Sequence, residues 1–173
     1  HGDATPFSDV DISAYCDAEH VHELIYGYGK PVYISYTSNP VGILIIIYEN
    51  GVAVDLEIIE EIDVADKDFF HVEDIKVYNY SRNEKMCKEF ALRDDIQYQM
   101  SRLLHRSLIK FLSGKRAVGV SVANEIMAFI NSDSFIDEAD YQTGMVNLLK
   151  SYNEQFQMPS EYYDLLCELI KML

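Results

Sequence analysis

Residues 42–59, GILIIIYENGVAVDLEII, decide the fold of the N-terminal half of the chain. Their first part is a continuous apolar run of the kind found in buried strands. The pair Asn50-Gly51 that follows is one of the dipeptides favoured in tight hairpin turns. Residues 52–59 then predict the return strand, and we expect the two strands to pair antiparallel.

Two more strand patterns precede this hairpin. Residues 10–15, VDISAY, and residues 31–37, PVYISYT, are rich in apolar, β-branched and aromatic side chains, which is typical of strands. Between them, residues 18–29 predict a short helix, and the glycines Gly27 and Gly29 mark its end. A small sheet with a helix between its first two strands is therefore expected.

The pattern changes to helical from about Asn83, because apolar residues then recur at spacings of three and four. Gly114 predicts the end of a long first helix. The last predicted helix is capped by Ser160, since a serine side chain can accept a backbone N–H at a helix start. The helices predicted after the first one cover residues 121–132, 138–156 and 160–173.

The predicted fold class is α+β, with a small mixed sheet followed by a C-terminal helical bundle. We expect two domains, residues 1–80 and residues 84–173. The sequence has no low-complexity linker between them, so the join is short and the two parts should pack together.

The composition limits the partners of the protein. The chain has 173 residues, with 14 Lys plus Arg against 29 Asp plus Glu and a formal net charge of −15. Such a charge repels polyanions, so no nucleic-acid partner is expected. It suits a small cationic partner, although an acidic surface also serves solubility alone. No apolar run is long enough to cross a bilayer, which predicts no membrane partner and a cytoplasmic location.

Cysteine usage points to the same compartment. Cys16, Cys87 and Cys167 lie far apart in the sequence and form no CxxC pair. This pattern argues against a disulfide framework and against a zinc site. A reducing compartment is the expectation.

Two aspartates, Asp9 and Asp11, stand one residue apart in the segment GDATPFSDVDISAY. Alternate side chains of a strand share a face, so both carboxylates point the same way while Val10 and Ile12 point into the core. Two such carboxylates raise each other's pKa unless a cation lies between them. Oxygen ligands of this kind suit magnesium, which takes its other ligands from water and substrate phosphates. Spaced acids also occur on solvated strand edges, and the pair alone leaves both interpretations open.

A third carboxylate, Asp55, lies on the return strand of the hairpin, with Glu57 on the same face. Neighbouring strands lie about 4.8 Å apart, so Asp55 would complete a site with Asp9 and Asp11. Metal ions held there would activate an attacking hydroxyl and neutralise a triphosphate and its leaving pyrophosphate. Glu57 is either a general base, a supporting acid or a solvated strand residue.

The segment GDATPFSDVDI resembles the second half of the signature of polymerase-beta-like nucleotidyltransferases, in which a glycine precedes Ser-Asp-x-Asp. Gly2, Ser8, Asp9 and Asp11 match that pattern. The hairpin is similar to the third-carboxylate strand of the same superfamily, and above all to its aminoglycoside and lincosamide branch. The match covers residues 2–13 and 42–59, while the helical half matches only in character.

The resemblance implies that Asp9, Asp11 and Asp55 are catalytic and bind the metal, and that Gly2 and Ser8 shape the phosphate loop. The implied cofactor is Mg²⁺, and the implied co-substrate is a nucleoside triphosphate, ATP above all. The implied reaction transfers AMP to a hydroxyl of a small cationic acceptor such as an antibiotic. The family's Gly-Ser pair would lie before His1, so we expect a longer protein. The sequence leaves the oligomeric state open, a homodimer included.

A second class of function fits the same residues. A degenerate nucleotidyltransferase fold would bind a nucleotide or another protein, as antitoxin-like members of the superfamily do. Three mutually repelling carboxylates on one face favour an enzyme, because a binding module has no need to keep them. A protein-modifying adenylyltransferase would share the site and differ only in its acceptor.

Other polar residues have simpler interpretations. His105 on the long helix is expected to be a partly buried, hydrogen-bonded residue, and the 13 tyrosines are expected to make core contacts first. Glu89, Asp94 and Asp95 would bind a cationic acceptor, act as the general base or belong to a solvated helix face. The pair His20 and His22 is expected to lie on the surface.

Overall fold

A computed structural model gives the structure of the protein and describes residues 5–15, 20–37, 43–59, 93 and 95–173. These residues form a four-stranded mixed sheet followed by a block of helices, which confirms the predicted α+β class. The strands are β1, Val10–Tyr15; β2, Pro31–Thr37; β3, Ile43–Tyr48; and β4, Ala53–Ile59. The helices are α1, Val21–Tyr28; α2, Ile96–Leu112; α3, Arg116–Phe129; α4, Tyr141–Phe156; and α5, Ser160–Lys171.

The strand order in the sheet is β1-β4-β3-β2. The predicted β3–β4 hairpin is confirmed, because the two strands pair antiparallel. The N–H of Gly51 closes the turn by donating to the carbonyl of Tyr48 at 2.9 Å. Gly51 has a φ of 83°, a conformation that glycine adopts without a steric penalty. β1 pairs with β4 in parallel, so, among the described strands, the first in the sequence lies beside the last in the sequence.

Different elements cover the two faces of the sheet. One face forms a small core with Val21 and Ile25 of α1. On the other face, Tyr33 and Ile47 belong to the same buried core as the helices of the C-terminal half. The sheet and α2–α5 therefore pack together, as expected. The predicted join at residues 80–84 lies outside the described residues.

The apolar side chains of β1 are less buried than expected. Val10 and Ile12 were predicted to point into the core, but they are 43% and 42% exposed. Among the described strands β1 lies at one edge of the sheet. An edge strand has a neighbour on one side only, so its side chains are covered less completely.

Several predicted helix starts and caps differ from the structure. α3 begins at Arg116 instead of Ser121. Gly119, near the start of α3, allows this helix to approach α2 closely, because a Cβ there would lie 2.8 Å from the Ser107 carbonyl oxygen. α5 begins at Ser160 as predicted, but its N-cap residue is Pro159 and not Ser160, so the predicted serine cap is wrong. α4 begins three residues later than predicted, at Tyr141.

The helices fall short of the dimensions of a lipid bilayer. In the part of the chain that the structure describes, none combines the length and the apolar character that a transmembrane span requires. The longest, α2, has 17 residues and carries charged side chains along its length.

Candidate functional site

A cavity of about 50 Å³ is lined by the sheet and by α2. Asp9 and Asp55 contribute its acidic side chains. Arg102, Arg106 and Lys110 of α2 contribute its basic side chains. The other lining residues are Ile45, Ile47, Ala53, His105 and Ile109. Carboxylates from the sheet and cations from the helix therefore line the same small space.

The parallel pairing of β1 with β4 brings two predicted site residues together. Asp11 and Asp55 are directly paired in the register of the ladder, and Asp9 lies two residues before Asp11. Asp9 itself lies just before β1, and its charge acts on Asp55 as that of Asp11 does. Asp9, Asp11 and Asp55 thus form an acidic group at one end of two neighbouring strands.

The pKa of Asp55 shows how close these charges are. Burial raises this pKa above its ordinary value, and the negative charges of Asp11 and Asp9 raise it further. Arg102 and Arg106 act in the opposite direction with a smaller effect. Ionised Asp55 is therefore only partly compensated by its surroundings, and an additional cation would stabilise it.

Asp9 forms an ion pair with Lys110 of α2. The Nζ atom of Lys110 lies 3.3 Å from Oδ2 of Asp9, and the Lys110 side chain is only 17% exposed. Burial raises the pKa of Asp9, but its own backbone N–H, Lys110 and the charge of Arg106 together lower that pKa below its ordinary value. Asp9 and Asp55 thus differ in electrostatic environment although they line one cavity.

The three cations share one face of α2, because Arg102, Arg106 and Lys110 follow one another at intervals of four residues. This basic row was not predicted from the sequence. Its signal was present in SRLLHRSLIK, where the basic residues alternate with apolar residues at helical spacing. The sequence alone did not indicate a function for this row, because only the fold shows that α2 lies opposite Asp9 and Asp55.

His105 fixes α2 against the hairpin. Its Nε2–H donates to the Gly51 carbonyl oxygen at 2.9 Å, and the side chain is buried. This contact joins the middle of α2 to the turn between β3 and β4, and it confirms the expectation of a hydrogen-bonded His105. The same helix therefore carries both the anchor and the basic row.

Asp95 has a structural role at the start of α2. Its carboxylate accepts the Tyr98 backbone N–H at 2.8 Å and pairs with Arg93, whose Nε lies 2.7 Å from Oδ2. The N-cap fixes the point at which α2 begins and thus the positions of its later turns. The other two acids of this group, Glu89 and Asp94, lie outside the described residues.

The remaining predicted residues lie around the acidic group. The Ser8 hydroxyl accepts the Thr5 backbone N–H at 2.9 Å, so Ser8 closes a turn just before β1. Glu57 follows Asp55 by two residues and accepts a hydrogen bond from the Ser13 hydroxyl at 2.8 Å. Gly2 lies outside the described residues. The phosphate-loop role of Gly2 and Ser8 stays a prediction.

The carboxylates of the acidic group suit magnesium better than a metal ion whose ligands must all come from the protein. Among the described residues, no group of three or more His, Cys, Asp or Glu side chains is arranged to hold a metal ion. Magnesium, however, commonly takes only one or two carboxylates and completes its shell with water and phosphate oxygens. The in-register pair Asp11 and Asp55 fits that requirement, and the raised pKa of Asp55 marks a place where added positive charge is favourable.

Comparisons with known proteins add no relative: no protein-family model, no curated protein and no solved structure matches this chain. The resemblance to polymerase-beta-like nucleotidyltransferases therefore rests on residues 2–13 and 42–59. What the fold itself defines is a cavity with carboxylates on its sheet side and cationic side chains on its helix side.

Proposed function

We propose that this protein is a magnesium-dependent nucleotidyltransferase that transfers AMP from ATP to a hydroxyl of a small cationic molecule. The observation that carries the proposal is Asp55, which is paired with Asp11 in the sheet and lines one cavity together with Asp9 and the basic row of α2. Carboxylates suit a magnesium ion, and arginine and lysine suit phosphate groups. A bound Mg·ATP complex needs both kinds of group side by side.

Each group would have a distinct role. Asp11 and Asp55 would hold the metal, with Asp9 as a further ligand. When bound, Mg²⁺ supplies positive charge that stabilises the triphosphate and the departing pyrophosphate. Arg102 and Arg106 would bind phosphate oxygens and orient the α-phosphorus for in-line attack.

Proton transfer would fall to a carboxylate. As the acceptor oxygen bonds to the α-phosphorus and the bond to pyrophosphate breaks, the hydroxyl proton must move to a base. Asp55 is the proposed base, since its carboxylate lines the cavity in which the nucleotide and the acceptor hydroxyl would meet. Glu57 is the alternative, although it does not line the cavity and is engaged by Ser13.

The acceptor class follows from charge. A net charge of −15 attracts cations and repels anions. We propose a cationic antibiotic of the aminoglycoside or lincosamide kind as the acceptor and the cytoplasm as the site of reaction. A screen of purified acceptors with labelled ATP and Mg²⁺ tests this part separately from nucleotide binding.

One observation favours the rival, a nucleotide-binding or protein-interaction module without transfer activity. Lys110 already neutralises Asp9, and the cavity between the acids and the basic row measures only about 50 Å³. Carboxylates whose charge is already compensated by protein cations gain less from binding a metal ion. The two functions differ in whether nucleotide binding requires Mg²⁺ and Asp11.

Isothermal titration of the full-length protein with a non-hydrolysable ATP analogue separates these functions. We expect binding that requires Mg²⁺ and that Asp11→Asn weakens at least about 100-fold, because loss of outer-shell partners alone already costs about 10–100-fold in metal affinity. Asp164→Asn is the matched control, since Asp164 is an exposed acid on α5. It removes the same charge and should leave binding unchanged.

The other outcomes have clear meanings. Binding that is independent of Mg²⁺ and insensitive to Asp11→Asn would support the nucleotide-binding module. If the protein binds no nucleoside triphosphate at all, the proposed nucleotidyltransferase activity is overturned and a protein-interaction role is left.

A further inference from the structure

Lys110 occupies an unusual position for a lysine. Its side chain is mostly buried, and its Nζ atom lies 3.3 Å from Asp9, which precedes β1. It is also the last member of the basic row on α2, one helical turn beyond Arg106. It therefore lies at the junction of the acidic group and the basic row.

Lys110 and a metal ion would compete for Asp9. A divalent cation bound to the Asp9 carboxylate would repel the nearby ammonium group. A lysine can respond, because its charge lies at the end of a flexible four-carbon stem. The anion within its reach in an occupied site would be a phosphate group held by Arg102 and Arg106.

We propose that Lys110 holds the cation position at Asp9 until a divalent cation binds there, and that it then moves to a phosphate oxygen of the nucleotide. This inference rests on the proposed function and adds a coupling between its two ligands. Divalent cation alone must displace Lys110, and triphosphate alone must compete with Asp9 for it. When both bind together, Lys110 exchanges one anion for another, so each ligand strengthens the other.

Lys110→Met tests the exchange because the two halves of the mechanism predict opposite effects. Titration with MgCl₂ alone should show about fivefold tighter binding than wild type, since the competing ammonium is gone. Titration with inorganic tripolyphosphate alone should show about tenfold weaker binding, since a charge-assisted hydrogen bond is lost. The cooperativity between Mg²⁺ and the ATP analogue should decrease as well.

Two further variants complete the design. Lys115→Met removes an exposed lysine just beyond α2 and should leave both titrations unchanged. Lys110→Arg keeps the charge and should keep wild-type behaviour for Mg²⁺. Circular dichroism and urea unfolding of each variant establish that the fold is intact.

The inference fails if Lys110→Met leaves the Mg²⁺ affinity unchanged or lowers it while the wild type binds Mg·ATP analogue. It also fails if the variant binds tripolyphosphate as tightly as the wild type. A wild type that binds neither Mg²⁺ nor the Mg·ATP analogue overturns the proposed function itself, which separates the two failures.

Discussion

Acidification from pH 6.5 to about pH 4 should remove about 3 kcal/mol of the free energy of unfolding through His105 alone. Burial lowers the pKa of this histidine from 6.5 to about 4, although the Gly51 carbonyl opposes the shift. The unfolded chain takes up the proton as the pH falls through 6.5, whereas the folded protein takes it up only near 4. The stabilising contribution is thus complete above pH 6.5 and is lost as the pH falls through about 4.

Urea unfolding at about pH 7, 6 and 5 measures this effect. His105→Gln should flatten the dependence of stability on pH by up to about 1.4 kcal/mol per pH unit. His22→Gln is the matched control, because His22 lies exposed on α1 and undergoes the same chemical change. Equal pH dependence in wild type and His105→Gln would show that His105 is not held neutral by the fold. The low pKa of Asp9 acts in a lower pH range, below its ordinary value of 3.8.

Asp55→Asn should raise stability while it disables the site. At neutral pH the ionised Asp55 carboxylate is destabilising, because burial and the charges of Asp11 and Asp9 act against it. Its neutral amide should therefore increase the free energy of unfolding by about 1 kcal/mol. Mg²⁺-dependent binding of the ATP analogue should fall at least about 100-fold, since a proposed metal ligand is lost.

The pH trend of this variant gives an internal check. Asp55 has a raised pKa in the folded state, so its cost to stability is present at neutral pH and disappears as the pH falls through that pKa. The advantage of Asp55→Asn should shrink on acidification, opposite in direction to the His105 effect. Asp164→Asn should change neither stability nor binding by a comparable amount. A destabilised Asp55→Asn protein at neutral pH would contradict the electrostatic account of the cavity.

The sequence predicted most of the local structure because the relevant signals are local. Strands 10–15 and 31–37 agree with β1 and β2, and the Asn50-Gly51 turn joins β3 to β4 as expected. The parallel pairing of β1 with β4 could not be read in advance. It joins residues far apart in the chain, and no turn fixes its register.

The candidate site likewise combines features that local sequence patterns predict with features that only the fold reveals. Asp9, Asp11 and Asp55 were selected from alternation along single strands, and their spatial relation depends on the non-local register Asp11–Asp55. The basic row on α2 was visible as a spacing of four. Asp9, the acid that Lys110 contacts, lies 101 residues earlier in the chain, so only the fold connects the two residues.

Anomalous diffraction from crystals grown with Mn²⁺ and a non-hydrolysable ATP analogue tests the central claim most directly. Mn²⁺ accepts the same oxygen ligands as Mg²⁺ and can be located by its anomalous signal. We predict a manganese peak bound by the carboxylates of Asp11 and Asp55, with phosphate oxygens beside Arg106 and Lys110. A nucleotide bound away from the basic row, or manganese bound away from these carboxylates, would contradict the proposed site.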